Sequence, residues 1–160
     1  MLEEYQQLLE EAKKKRKSIG KKVARLKKLR KGVADRLIHQ LHEAAFEKID
    51  CLACANCCKT TGPLFTAADI ERIARHLALS GAEFVEKYLR LDEDHDYVLQ
   101  SVPCHFLDAD NYCTIYDVRP KACREYPNTD RKNQVGILKL TEKNSQICPA
   151  VADIFRNLEL

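Results

Sequence analysis

No apolar run in this 160-residue chain approaches the about 20 residues that a membrane-crossing helix needs. The opening, Met1-Leu2-Glu3-Glu4-Tyr5, lacks the basic stretch and apolar core of a secretory leader, so no signal peptide is expected. Glycine is scarce: Gly20, Gly32, Gly62, Gly81 and Gly136 form no G-x-G cradle for a nucleoside cofactor. Between Lys13 and Lys31 there is no acidic residue, and no aromatic side chain interleaves the basic ones to offer a base-stacking platform. These absences point away from a membrane span and towards a reducing cytoplasm, where clustered cysteines favour metal over disulfides.

Cysteine is abundant. Cys51-Leu52-Ala53-Cys54-Ala55-Asn56-Cys57-Cys58 places four thiols in eight residues, and Cys104, Cys113, Cys123 and Cys148 follow. Thiolates at C-x2-C-x2-C spacing can converge on one soft metal centre, because a tight turn aims successive sulfurs inward. A disulfide framework is a poor reading, since Cys57 and Cys58 are adjacent.

Charge divides the chain near Asp50. Residues 1–50 hold 14 Lys/Arg and 8 Asp/Glu, a net of +6, whereas residues 51–160 hold 13 and 16, a net of −3. Residues 2–46 read as helix, with Leu2, Tyr5, Leu9, Ala12, Ile19, Val23, Leu26, Val33, Leu37 and Ala44 on a heptad-like seam broken at Arg16, Arg30 and Gln40. One long helix, a kinked one, or a hairpin turning near Ser18-Ile19-Gly20 all suit this pattern, and either packing on the cysteine-rich part or self-association would bury the seam. The twelve basic residues from Lys13 to Lys31 read as a polyanion-binding arm or, more plainly, as a solvated helix face.

Thr66-Ala67-Ala68-Asp69 and Ser80-Gly81-Ala82-Glu83 have the form of capping boxes, each opening a short helix that walls a small core. Residues 96–102 suggest a weak strand, 106–116 a hairpin tipped by Asp108-Ala109-Asp110-Asn111, and 135–141 a further strand. Arg119-Pro120 opens a helical turn that Tyr126-Pro127 closes, and Cys148-Pro149 starts a last helix with Val151, Ile154, Phe155 and Leu158 on one face. Cys148 would then lie at a helix N-terminus, where the dipole favours a thiolate.

The first three cysteines follow the run of bacterial iron–sulfur ligation, and Cys148-Pro149 has the form of a distant fourth ligand. Zinc sites more often present separated C-x2-C pairs, so the preferred cofactor is an iron–sulfur cluster, with zinc as the alternative. Eight cysteines suit two four-thiolate sites, or one site plus structural or redox thiols. Lys59, Arg119, Lys121 and Arg124 are candidates to offset the thiolate charge, although ordinary pairing of the arginines with Asp117 or Glu125 is an equal reading. His105 is a packed side chain before it is a ligand, His39 and His42 are surface histidines before they are a metal pair, and Tyr116 and Tyr126 are packing residues.

Cys51-x2-Cys54-x2-Cys57-Cys58, Pro103-Cys104-x-Phe106-Leu107, Cys113-x-Ile115-Tyr116-x2-Arg119-Pro120-x2-Cys123-Arg124-x-Tyr126-Pro127 and Cys148-Pro149 together resemble the YkgJ-like CxxCxxCC family. The resemblance covers about residues 51–150 and implies a zinc- or iron-chelating domain in which Cys51, Cys54, Cys57, Cys58, Cys104, Cys113, Cys123 and Cys148 are the metal ligands. It also resembles the cysteine cluster of flagellin lysine-N-methylases, which use S-adenosylmethionine within much longer chains.

The expected fold is α+β and mainly α: a basic helical arm at 1–50, then a cysteine-rich metal-binding domain at 51–160 of short helices and a small hairpin. The expected function is a cytoplasmic metal- or cluster-binding module in redox, metal handling or assembly. The alternatives are a cluster-dependent protein methyltransferase, or a nucleic-acid-associated protein with structural zinc. Expected partners are a metal ion or cluster, and a protein or a second copy at the N-terminal helix, ahead of nucleic acid.

Overall fold

The apolar spacing of the N-terminal residues is realised as three helices, α1 (Glu3–Lys14), α2 (Arg16–Leu26) and α3 (Val33–Phe46), in a computed structural model describing residues 1–160. Gly20 lies inside α2 and does not end it. The larger break falls at Gly32, whose φ of 81° is in the left-handed region that glycine enters without a Cβ clash. That break resets the register. Tyr5, Leu9, Ala12, Ile19, Val23 and Leu26 are buried as spaced, but α3 buries Ala34, Ile38 and Ala45, one residue on from Val33, Leu37 and Ala44.

The chain divides into two units: Met1–Asn56 with Pro127–Leu160, and Cys57–Tyr126. The first unit joins the two ends of the chain. In the first unit the reason is α10 (Pro149–Asn157), which packs on both α1 and α3 and buries Pro149 through Phe155. The amphipathic helices supply its walls. Lys22 Nζ donates to the Phe155 and Leu158 carbonyls (2.6 and 2.7 Å), placing a cation where the end of α10 is electronegative.

Residues 135–141 are not a strand. They form a 3-10 turn (Gln134–Ile137) and α9 (Leu138–Asn144), which packs on α2. The apolar alternation misleads because Val135 and Leu140 are exposed, while the buried Gln134, Leu138, Thr141 and Ser145 recur at helical spacing. One face of α3 holds the preceding loop. Asp35 accepts from the N–H groups of Asn133 and Gln134 (both 2.8 Å), His39 Nε2 lies 2.8 Å from the Arg131 carbonyl, and His42 Nδ1 lies 2.7 Å from Thr129 Oγ1. Both histidines thus serve loop attachment.

The Cys57–Tyr126 unit has a three-stranded antiparallel sheet in the order β1 (Leu64–Phe65), β3 (Tyr97–Leu99), β2 (Leu89–Leu91). Two helices, α6 (Ala67–His76) and α7 (Gly81–Tyr88), open on full capping boxes at Thr66/Asp69 and Ser80/Glu83, as their sequences predict. Phe65, Ile70, Ile73, Phe84, Leu89, Leu99, Phe106 and Ile115 form the core, and Cys104 and Cys113 pack against it.

Two turns in this unit share one plan. Asp92 and Asp108 each accept through Oδ1 from the N–H groups two and four residues on, at 2.9–3.0 Å. The fourth residue of each, His95 and Asn111, takes a φ of 62°. The first turn joins β2 to β3, and the second closes the expected hairpin, which is reduced to a single Leu107–Cys113 bridge. The whole is α+β and mainly α, with the sheet confined to this unit.

Candidate metal centre

The C-x2-C-x2-C-C run is cut in two by its own backbone. Cys51 and Cys54 share a single helical turn, α4 (Cys51–Cys54), whose start is capped by the Asp50 carboxylate accepting from the Leu52 N–H at 2.9 Å. Ala55 then takes a left-handed φ of 47° and ends the turn, and α5 (Asn56–Thr60) begins afresh with Cys57 and Cys58. A residue other than glycine in that region costs about 1 kcal/mol. The boundary between the two units falls at this point, between Asn56 and Cys57.

In the first unit the α4 turn is tied to the distal cysteine. Asn56 Nδ2 donates to the Ile147 carbonyl at 2.7 Å, immediately before Cys148. Cys54 and Cys148 are buried and Cys51 is exposed. Cys148 is the N-cap of α10, as Cys148-Pro149 predicts. The thiolate expected there is not favoured in the metal-free chain. Burial pushes the thiol up to about 12, outweighing the N–H groups of Val151 and Ala150 that aim at the sulfur, and the neighbouring Cys51 and Cys54 push the same way.

In the Cys57–Tyr126 unit, Cys104 is anchored by its N–H donating to the Cys58 carbonyl at 2.8 Å. Cys113 pairs with Leu107 across the small hairpin, and Cys123 lies on α8 (Lys121–Glu125). The four thiols of Cys58, Cys104, Cys113 and Cys123 act on one another. Burial raises Cys123 to about 12, with the charges of Cys58, Cys104 and Cys113 adding to it. Burial likewise raises Cys104 and Cys113, again with help from neighbouring thiols. Cys58 is the exception: the Cys57 thiol donates to it, and with its own N–H and Lys59 brings it down to about 7 despite burial.

Main-chain N–H groups converge on three of the sulfurs with one spacing. Phe106 and Leu107 donate to Cys104, Ile115 to Cys113, and Ala150 and Val151 to Cys148, in each case two or three residues on. Such N–H groups neutralise part of the charge that a bound thiolate carries.

The cationic candidates separate. Lys59 lowers Cys58, and Arg119 lowers Cys113 and Cys123. Arg119 also lies 3.9 Å over the Tyr116 ring and donates to the Tyr116 carbonyl, in place of pairing with Asp117 or Glu125. Lys121 reaches Glu125 at 3.7 Å on the surface. Tyr116, expected to pack, is exposed and stacked on Tyr112, and Tyr126 is half-buried. His105 stands edge-on to Tyr88.

One positioning pair is not visible in the cysteine pattern. Asp69, only 1% exposed, accepts from the Thr66 N–H, Thr66 Oγ1, Arg72 Nη2 and the Lys121 N–H. Arg72 also donates to the Val118 and Arg119 carbonyls. The start of α6 thereby fixes the start of α8 and with it Cys123. The capping box betrays Asp69 in the sequence, but its bond to Lys121 spans residues that only folding brings together.

As the chain stands, no group of three or more His, Cys, Asp or Glu side chains is gathered closely enough to hold a metal ion. None of the eight cysteines is in a disulfide. The donor set is nonetheless that of a thiolate metal-binding protein: soft sulfurs on short turns, with N–H groups aimed at several of them. A family profile identifies it further. Residues 50–149, well over half the chain and including all eight cysteines, match the CxxCxxCC family, described as "Putative zinc- or iron-chelating domain", and the chain belongs to that family. No curated protein and no solved structure matches the chain.

Proposed function

We propose that this chain is a metal-holding module that carries an iron–sulfur cluster through Cys51, Cys54, Cys57, Cys58, Cys104, Cys113, Cys123 and Cys148 and serves redox, metal handling or assembly in the cytoplasm. The observation that carries this reading is the set of main-chain N–H groups aimed at Cys104, Cys113 and Cys148, which suits sulfurs that bear charge when ligated. The ferredoxin-like spacing of Cys51, Cys54 and Cys57, and Pro149 after Cys148, favour iron–sulfur over zinc. A cluster bound here supplies one-electron transfer. The residues supply thiolates, compensating charge from Lys59 and Arg119, and shielding by the Phe84–Phe106 core. Loading requires the thiols to close on the metal.

Protein expressed and purified without oxygen is expected to be brown and to contain iron with acid-labile sulfide. Colourless protein with stoichiometric zinc and no sulfide replaces the cluster by structural zinc.

A second reading concerns the basic helices, because every Lys and Arg from Lys13 to Lys31 except Lys22 is exposed. If they bind duplex nucleic acid through Z cations, log K falls against log salt with a slope of about −0.9Z. Replacing Lys27, Lys28 and Lys31 with Gln is expected to flatten that slope. An intact protein that ignores polyanions at low salt leaves these residues as a solvated face.

A further inference from the structure

A cleft of about 230 Å³ lies among α1, α2 and α10, within the first unit. Every residue that lines it falls between residues 8 and 22 or between 152 and 156, outside the 50–149 stretch that carries the family's cysteines. Its floor is apolar: Ala12, Ile19, Ala152 and Phe155 are buried there. α1 and α10 each present an alanine to it, Ala12 and Ala152, so side-chain volume is missing where these two helices pack. Sites for drug-sized molecules run to about 300–1,000 Å³, so this cleft suits something smaller.

The rim is charged, and the charges do not balance. Lys15, Lys22 and Arg156 line it against one carboxylate, Glu11. Glu11 is held by Lys15 at 2.6 Å, and Arg156 is held by Asp153. Lys22 has no such carboxylate. It donates to the Phe155 and Leu158 carbonyls, which take two of the three N–H donors of its ammonium. Burial and the charge of Lys15 hold its pKa below the ordinary lysine value, with Glu159 opposing through space, as fits a cation short of counter-charge.

We propose that this cleft binds a small aliphatic monocarboxylate, its tail against Ala12, Ile19, Ala152 and Phe155 and its carboxylate on the remaining N–H of Lys22. One cation without a carboxylate partner matches one negative charge, and an ammonium–carboxylate contact is among the stronger hydrogen bonds. The apolar floor adds the requirement for a tail. No cysteine lines the cleft, so this binding is separate from metal ligation.

The test is a titration of the nitrogen-15-labelled full-length protein with hexanoate, followed by its amide chemical shifts. Saturable shifts are expected around Ile19 and Ala152. Hexanol, which has the tail without the charge, and acetate, which has the charge with almost no tail, should each bind at least about tenfold more weakly. Hexylamine should not bind. Lys22→Met keeps the apolar stem and should weaken hexanoate about tenfold or more. Should that variant fail to fold, judged by circular dichroism, two rim substitutions carry the sign of the field. Glu11→Gln should tighten hexanoate by about two- to fivefold, and Lys15→Gln should weaken it by a similar factor. Shifts that never saturate, or that spread along the exposed lysines of α2, overturn the site. Equal binding of hexanol and hexanoate overturns the carboxylate assignment, as does a shift of affinity in the same direction in Glu11→Gln and Lys15→Gln.

Discussion

A chain starting at Glu47 is expected to lose the fold of the first unit and the ligand position of Cys148 with it. The charge switch at Asp50 suggests a dispensable arm, but α10 has no other walls of comparable extent. Its Val151, Ile154 and Phe155 are 0–2% exposed, and α1 and α3 pack directly on it. Burying each such side chain stabilises by about 1.5–3 kcal/mol, against a net domain stability of about 5–15 kcal/mol. Stripping α1 to α3 also removes Lys22 from the α10 carbonyls and the Tyr5 hydroxyl from the Asp50 N–H beside Cys51. The truncated protein should aggregate or lose helicity, with protease sites opening in residues 127–160. A monomeric, protease-resistant truncation with full metal content would make the arm an appendage after all.

Asp69→Ala is expected to destabilise the Cys57–Tyr126 unit strongly. The substitution leaves the Lys121 N–H without its acceptor and frees Arg72 from its charged partner. Charge-assisted bonds of this kind together contribute about 3 kcal/mol, the exposed side of Arg72 keeping the figure from being larger. Cys123 should shift as α8 loosens, so metal content should fall along with the melting temperature. The pH dependence has a definite sign. Burial alone would raise the Asp69 carboxyl, but bonds from Thr66, Arg72 and Lys121 bring it from 3.8 to about 2. Its stabilisation is therefore present above about pH 4 and is lost as pH falls through 2, a swing of about 2 kcal/mol. Acid unfolding of Asp69→Asn should lack that component. Matching acid limbs in wild type and variant would show that Asp69 does not clamp α8.

Local signals were legible where chemistry is local. Thr66/Asp69 and Ser80/Glu83 announce their helices because each box is satisfied within four residues. Cys148-Pro149 marks the start of α10 for the same reason. The C-x2-C-x2-C spacing pointed to metal chemistry because ligand turns are local, and the family match over residues 50–149 spans all eight cysteines. β1 and β2 escaped notice because strands of two and three residues carry too few positions for alternation to register.

Long-range packing decided the rest. Sequence by itself determined the helical, heptad-like character of residues 2–46, the two capped helices, the closing helix and the sulfur chemistry. Tertiary structure alone decided that α1 and α3 pack on α10, and that Gly32 shifts the buried stripe of α3 by one residue. It alone decided that residues 135–141 turn as helix, because their buried positions are chosen by neighbours far along the chain. Only it places Asp69 on the N–H of Lys121 and Asn56 on the carbonyl before Cys148. Those bonds join residues separated by 52 and 91 positions, and no spacing along a chain encodes which distant donor meets which acceptor.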